Sequence, residues 1–240
     1  MEAADQPKLI VEADAEALAQ AAAERVMARI SANPGRIAIC LTGGSSPKKL
    51  YQLLGSDAYR GKIPWDRVHW FIGDERFVPS SDPLNNMAVA RATFLDRNAP
   101  SGHIHPIPTT AESPEAGAEA YARELQSFYG AKSLDPARPL FDMVLMGAGP
   151  DGHTASLFPG TPVLEVEDRI AAEVFVPRLD TWRVTLTKPV LRAATLRLVL
   201  ATGAKKKPIL EAIRDGADYP IAQVTRDVET WWLIDRDAAP

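Results

Sequence analysis

The side chains able to do chemistry gather in four short polar stretches, each following an apolar run. In Gly147-Ala148-Gly149-Pro150-Asp151-Gly152-His153 a histidine stands two positions after a carboxylate, among residues that give the backbone freedom. Histidine exchanges a proton near neutral pH, and an adjacent carboxylate fixes its tautomer and raises its basicity. His153 is therefore the candidate base, with Asp151 as its partner; a histidine that merely caps a helix is the plainer alternative. The stretch Thr42-Gly43-Gly44-Ser45-Ser46 turns from a strand into a helix. Backbone N–H groups there favour an anion, and the serine hydroxyls add donors. A tight turn with a serine cap has the same pattern, and neither the GxxxxGK[ST] nor the GxGxxG spacing is present.

Arg76, after Asp74 and Glu75, suits bidentate recognition of phosphate or carboxylate, or a solvated ion pair with those acids. Lys205, Lys206 and Lys207 follow Gly203, where one lysine could meet a phosphate as a point charge. Of the other histidines, His69 alternates with apolar residues and reads as structural. His103 and His105 form an H-x-H in a Pro-rich stretch with no third ligand nearby, so no metal is expected.

Alternating strands and helices must position these stretches. A stripe of Leu18, Ala22, Val26 and Ile30 predicts a helix over 14–31, ended by Asn33-Pro34-Gly35. Ile37–Leu41 is short, apolar and β-prone, as a buried parallel strand is. Pro47 opens a helix through Leu54. Further strands are predicted at 68–72, 141–146, 169–176, 183–186, 196–200 and 231–234. Helices are predicted at 85–95, 114–129, 189–193 and 208–214, with another beginning at Thr154–Leu157. Residues 98–112 and the charged Gly73–Arg76 read as loops. The pattern predicts a three-layer α/β fold with a mostly parallel sheet, in one domain over 1–240. Sites in such sheets lie outside the carboxyl ends of the strands, so the four polar stretches become walls of one pocket.

Composition narrows the function classes. The 240 residues carry a net charge of -4, which disfavours a nucleic-acid binder. The lone cysteine, Cys40, sits in an apolar run and reads as a buried hydrophobe in a reducing compartment. The polar Met1–Lys8 has no signal-peptide core and no stretch is long enough to span a membrane, so a cytoplasmic protein without membrane or obligatory protein partner is expected.

Taken together, the motifs resemble the 6-phosphogluconolactonase family, which is related to the glucosamine-6-phosphate deaminases. The resemblance rests on LTGGSSPKKLY at 41–51, WDRVHWFIGDERFVP at 65–79, NNMAVARATFL at 85–95, FDMVLMGAGPDGHTASLFPG at 141–160, RVTLT at 183–187 and LATGAKK at 200–206. It implies a single Rossmann-like domain that hydrolyses 6-phospho-D-glucono-1,5-lactone without metal, cofactor or covalent intermediate. It implies His153 as the general base, Asp151 as its orienting partner or a sugar-hydroxyl ligand, and Gly43, Gly44, Ser45, Arg76 and Lys206 as the phosphate clamp. A one-residue shift would exchange Lys206 with Lys205. Arg183, Asp74 and Asn86 match family positions and are expected to line or brace the pocket. Deaminases follow their DGH with a segment like AFNEP, whose Glu helps open the sugar ring; here Phe158 takes that place. A sugar-phosphate sensing domain of a transcriptional regulator would need a helix-turn-helix, and the first 36 residues offer one amphipathic helix.

Overall fold

The computed structural model describes residues 7–135 and 137–240, so the expected polar start of the chain, through Gln6, lies outside the described residues. Strand β1 (Lys8–Glu12) leads into α1 (Ala15–Ala32), whose first turn is capped by the Asp14 carboxylate accepting from Ala17 N at 2.9 Å. The helix buries Leu18, Ala22, Val26 and Ile30 and stops at Asn33, because a residue before proline avoids the helical region. Strands β2 (Ile37–Leu41) and β3 (Val68–Ile72) flank α2 (Lys48–Leu54). After β3 come β4 (Asp74–Arg76), α3 (Asn86–Ala90), β5 (Ile104–His105), α4 (Pro114–Tyr129) and β6 (Met143–Gly147). The chain ends through β7 (Ala171–Val176), β8 (Thr181–Leu186), α5 (Lys188–Arg192), β9 (Arg197–Ala201), α6 (Lys207–Arg214), α7 (Pro220–Thr225) and β10 (Thr230–Asp235).

Seven strands form a parallel sheet in the order β1-β10-β9-β6-β2-β3-β5. Every residue of β2 and of β9 is buried, as the apolar runs Ile37–Leu41 and Leu198–Ala201 require. The chain winds outward from β2 through β3 to β5, and the other way from β6 through β9 to β10. Neighbouring β2 and β6 therefore form the switch point, where their following loops diverge and open a crevice. This is the Rossmann-like α/β architecture expected.

Some elements differ from expectation. Strands β7 and β8 do not join the parallel sheet. They pair antiparallel with each other and with β4 in a separate three-stranded sheet. A turn as tight as Pro177–Asp180 joins only antiparallel strands, whereas a parallel neighbour needs a long crossover. The expected loop 73–76 supplies β4 of that sheet: the chain leaves β3 at Gly73, whose N–H reaches Leu41 O at 2.9 Å and whose carbonyl accepts from Leu186 N at 2.8 Å. Within the expected loop 98–112, Ile104–His105 pairs with the edge of β3. Residues 85–95 form α3 followed by a π turn at Arg91–Leu95.

No helix begins at Thr154–Leu157. Thr154 and Leu157 form an isolated antiparallel bridge, and Ala155 takes a positive φ of 47°. Ser156 is committed elsewhere: its N–H donates to Thr185 Oγ1 at 3.2 Å and its hydroxyl to Asp74 Oδ2 at 2.6 Å. Side-chain hydrogen bonds of this kind compete with helix formation.

Candidate active site

The crevice at the carboxyl ends of β2 and β6 encloses about 380 Å³. Thr42–Pro47, Gly147–Pro150 and His153 line it, together with Asp74, Arg76, Asn86, Phe158, Arg178, Arg183 and Lys206.

The loop after β2 is pinned at its base, where Tyr51 Oη accepts from Thr42 N at 3.0 Å and donates to Thr42 O at 2.7 Å. Gly43 must be glycine for want of room, since a Cβ there would lie 2.2 Å from Asn86 Oδ1. Asn86 is itself held, its Nδ2 donating to Asp74 O at 3.0 Å while its Oδ1 accepts from Arg76 Nη1 at 3.2 Å. Arg76 Nη1 also donates to Leu84 O at 2.8 Å, so its guanidinium is fixed at the mouth of the glycine loop. Glu75 turns away from the crevice and is fully buried, accepting from the backbone N–H groups of Asn86 and Met87 at the start of α3. Burial pushes its carboxyl up to about 7, although the backbone donors oppose the rise.

From the far side of the sheet, Lys206 reaches across to Ala148 O at 2.6 Å. It lines the crevice, while Lys205 is exposed and does not. Burial lowers the Lys206 pKa, and the charge of Asp151 raises it in part. The loops after β2 and β9 are tied by a 3.1 Å hydroxyl contact between Ser46 and Thr202.

His153 and Asp151 form a pair. His153 Nδ1 lies 2.5 Å from Asp151 Oδ1, and the loop closes on itself through Gly149 N to His153 O at 2.7 Å. A Cβ on Gly149 would come within 2.0 Å of His153 Nδ1, so the imidazole packs against a backbone position that admits no side chain. Burial lowers the His153 pKa below its ordinary value, and Asp151 pulls the other way without reversing it. For Asp151, burial raises the pKa, but the hydrogen bond and charge of His153 outweigh it and leave it below the usual range. At neutral pH the pair is a carboxylate and a neutral imidazole. Nδ1 then carries the proton and donates to Asp151, which leaves the Nε2 lone pair free to accept one.

Phe158 forms a shared floor. Its ring stacks on His153 with centroids 4.1 Å apart at 25°, and the guanidinium carbons of Arg178 and Arg183 lie 5.1 and 5.4 Å from its centroid. Arg183, opposite Arg76 in the β4–β8 ladder, is buried beside Asp74, with its Nη1 3.5 Å from Asp74 Oδ2.

Of the residues expected at the site, Gly43, Gly44, Ser45, Asp74, Arg76, Asn86, His153, Arg183 and Lys206 line this one crevice, Asp151 pairs with His153, and Lys205 stays outside. Arg178 was missed: its Nη2 reaches Asp151 Oδ2 at 2.5 Å from the turn between β7 and β8. Its only signal in the sequence is a basic residue in a turn. Ser156 was read as helical and instead fixes Asp74. Among the described residues, no group of three or more His, Cys, Asp or Glu side chains is placed to hold a metal ion, and no helix is long and apolar enough to cross a membrane.

A parallel sheet with a switch-point crevice, walled by cations and holding one histidine–carboxylate pair, defines an α/β protein built to work on a small anion. Residues 13–232 match the model of the family described as glucosamine-6-phosphate isomerases/6-phosphogluconolactonase, and the chain belongs to that family. A 6-phosphogluconolactonase of Nostoc is 39% identical over 210 residues, covering 85% of this chain and 84% of its own. One of Streptomyces coelicolor is 35% identical over 249 residues, covering 98% and 94%. The solved 6-phosphogluconolactonase of Trypanosoma cruzi superposes with a TM-score of 0.86 at 29% identity, covering 97% of this chain and 96% of that one.

Proposed function

We propose that this chain is a one-domain, cytoplasmic 6-phosphogluconolactonase that hydrolyses 6-phospho-D-glucono-1,5-lactone to 6-phosphogluconate. His153 Nε2 takes a proton from water as the water oxygen adds to C1 of the lactone. Asp151 holds the imidazole in the tautomer that leaves Nε2 free and stabilises the imidazolium that forms. Gly43, Gly44 and Ser45 offer backbone and hydroxyl donors to the 6-phosphate, and Arg76 and Lys206 offer charge. Asp74 braces the pocket from below through Ser156 and Arg183.

The observation that carries this reading over the deaminase reaction is the floor under His153. Sugar-ring opening in the deaminase reading needs a carboxylate beside the histidine to relay a proton. Phe158 lies face-on to the imidazole at 4.1 Å instead and has no proton to relay. Water attack on a lactone needs only the base. The test is a lactonase assay on freshly prepared phospholactone, corrected for spontaneous hydrolysis, beside a deaminase assay on glucosamine 6-phosphate. Lactone hydrolysis without ammonia release is expected, and the reverse outcome would overturn the assignment.

A further inference from the structure

A base and a phosphate grip leave one demand of ester hydrolysis unmet. As water adds to C1, the carbonyl oxygen becomes an oxyanion, and a donor aimed at it stabilises the transition state. Building on the lactonase reading above, we propose that Arg183 is that donor, its guanidinium binding the C1 oxygen of the lactone and carrying the charge of the tetrahedral intermediate.

The guanidinium is under-satisfied as it stands. Its side chain is only 9% exposed, yet it lines the crevice. Its Nε is buried with no hydrogen-bond partner, and Nη1 has two long contacts, 3.5 Å each, to Asp74 Oδ2 and Ser156 Oγ. An unpartnered donor on a buried cation is costly, so a ligand oxygen that completes it is favoured. Asp74 and Ser156 hold the arginine in place and share its charge without saturating it.

Position separates Arg183 from the phosphate grip. Its cross-strand neighbour Arg76 is tied to Asn86 and so to the Gly43 loop, at the phosphate end. Arg183 instead shares the ring of Phe158 with His153, at the base's end. In the reaction, the water oxygen bonds to C1 as its proton passes to His153 Nε2, and the C1–O π pair moves onto the carbonyl oxygen beside Arg183. On collapse that pair re-forms the carbonyl, the bond from C1 to the ring oxygen breaks, and His153 returns the proton to the ring oxygen.

The product keeps two oxygens on C1, which allows a test without turnover. Calorimetric titration compares 6-phosphogluconate with glucitol 6-phosphate, which has the phosphate but no carboxylate. The wild type is expected to prefer the acid by about tenfold or more, as a charge-assisted hydrogen bond allows. Arg183→Gln should abolish that preference while leaving glucitol 6-phosphate binding within a few-fold. Its kcat on the phospholactone should drop about 10²–10³-fold with little change in KM. Arg183→Lys should restore part of the preference, and it decides the matter by the same titrations if a thermal melt shows the glutamine variant unfolded. An unchanged preference, or equal loss of both ligands, would overturn the proposal and make Arg183 structural or a phosphate ligand. Failure of the lactonase reading is separate, since the wild type itself would then leave the phospholactone intact.

Discussion

Two groups of histidines in this chain are built from similar parts to opposite effect. At the outer edge of the parallel sheet, His69, His103 and His105 stack on one another and on Phe71. His69 and His103 lie 4.0 Å apart between ring centroids, and His105 and Phe71 4.2 Å at 7°. His69 Nδ1 meets His105 Nε2 at 2.9 Å, and His105 Nδ1 meets Glu124 at 2.6 Å, so both ring nitrogens of His105 are spent on neighbours. His153 also stacks on an aromatic ring and also meets a carboxylate, but it stands alone in a crevice between cations. The difference lies in placement: the edge stack turns histidine against histidine away from the crevice, whereas His153 is the histidine on the crevice wall.

That contrast predicts where the largest loss falls. His153→Ala should lower kcat on the phospholactone by about 10²–10⁴-fold while leaving the thermal midpoint nearly unchanged, because the ring lines a cavity. A fully active variant would remove the distinction between the two groups. Next in size are the cations. Arg76→Met or Lys206→Met should raise KM for the phospholactone about 10–100-fold, the worth of one charged hydrogen bond, with far less effect on unphosphorylated gluconolactone. Equal losses on both substrates would show that neither residue reads the phosphate.

Asp151→Asn probes the carboxylate paired with His153, with a smaller effect. Losing a charge-assisted hydrogen bond should lower kcat about tenfold. The sign of the accompanying pH change is fixed. Asp151 raises the His153 pKa against the larger lowering by burial, so its removal drops that pKa further. The acid limb of kcat/KM should therefore move to lower pH in the variant. A limb that moves upward, or stays in place, would mean that Asp151 does not act on the base.

How much of this was legible in the sequence follows from what local pattern encodes. The apolar runs of β2, β3, β6 and β9 read correctly because a buried parallel strand leaves a continuous hydrophobic signature. The polar loops behind them followed, since sites collect at those strand ends. Asp74–Arg76 hid as a loop because three charged residues carry no period, and their strand character comes from pairing with β8 more than a hundred residues on. Thr154–Leu157 misled for a related reason: Ser156 bonds Asp74, a partner 82 positions away. Arg178 was invisible for the same cause, because only the antiparallel turn brings it to Asp151. The proposed base and the proposed anion loop are local motifs, whereas the network holding them is long-range.

The smallest predicted effect returns to the edge stack, and it concerns stability. Burial, followed by the charges of His103 and His105, lowers the His69 pKa from 6.5 to about 4. A histidine whose pKa falls on folding stays neutral in the folded chain while the unfolded chain takes up a proton. Between pH 6.5 and 4 the unfolded state therefore binds more protons, and stability declines as pH falls through that window. His69→Gln has no proton to gain and should flatten part of that decline in urea titrations at a series of pH values. A residual slope is expected, because burial also lowers the pKa of His105, against the pull of Glu124, and that of His153. Lactonase activity of the variant near neutral pH should match the wild type, since His69 lies on β3, next to the edge strand β5, and not among the crevice residues. An unchanged slope would mean that the stack opens to solvent without cost. An activity loss in step with His153→Ala would mean that the two groups are coupled through the sheet.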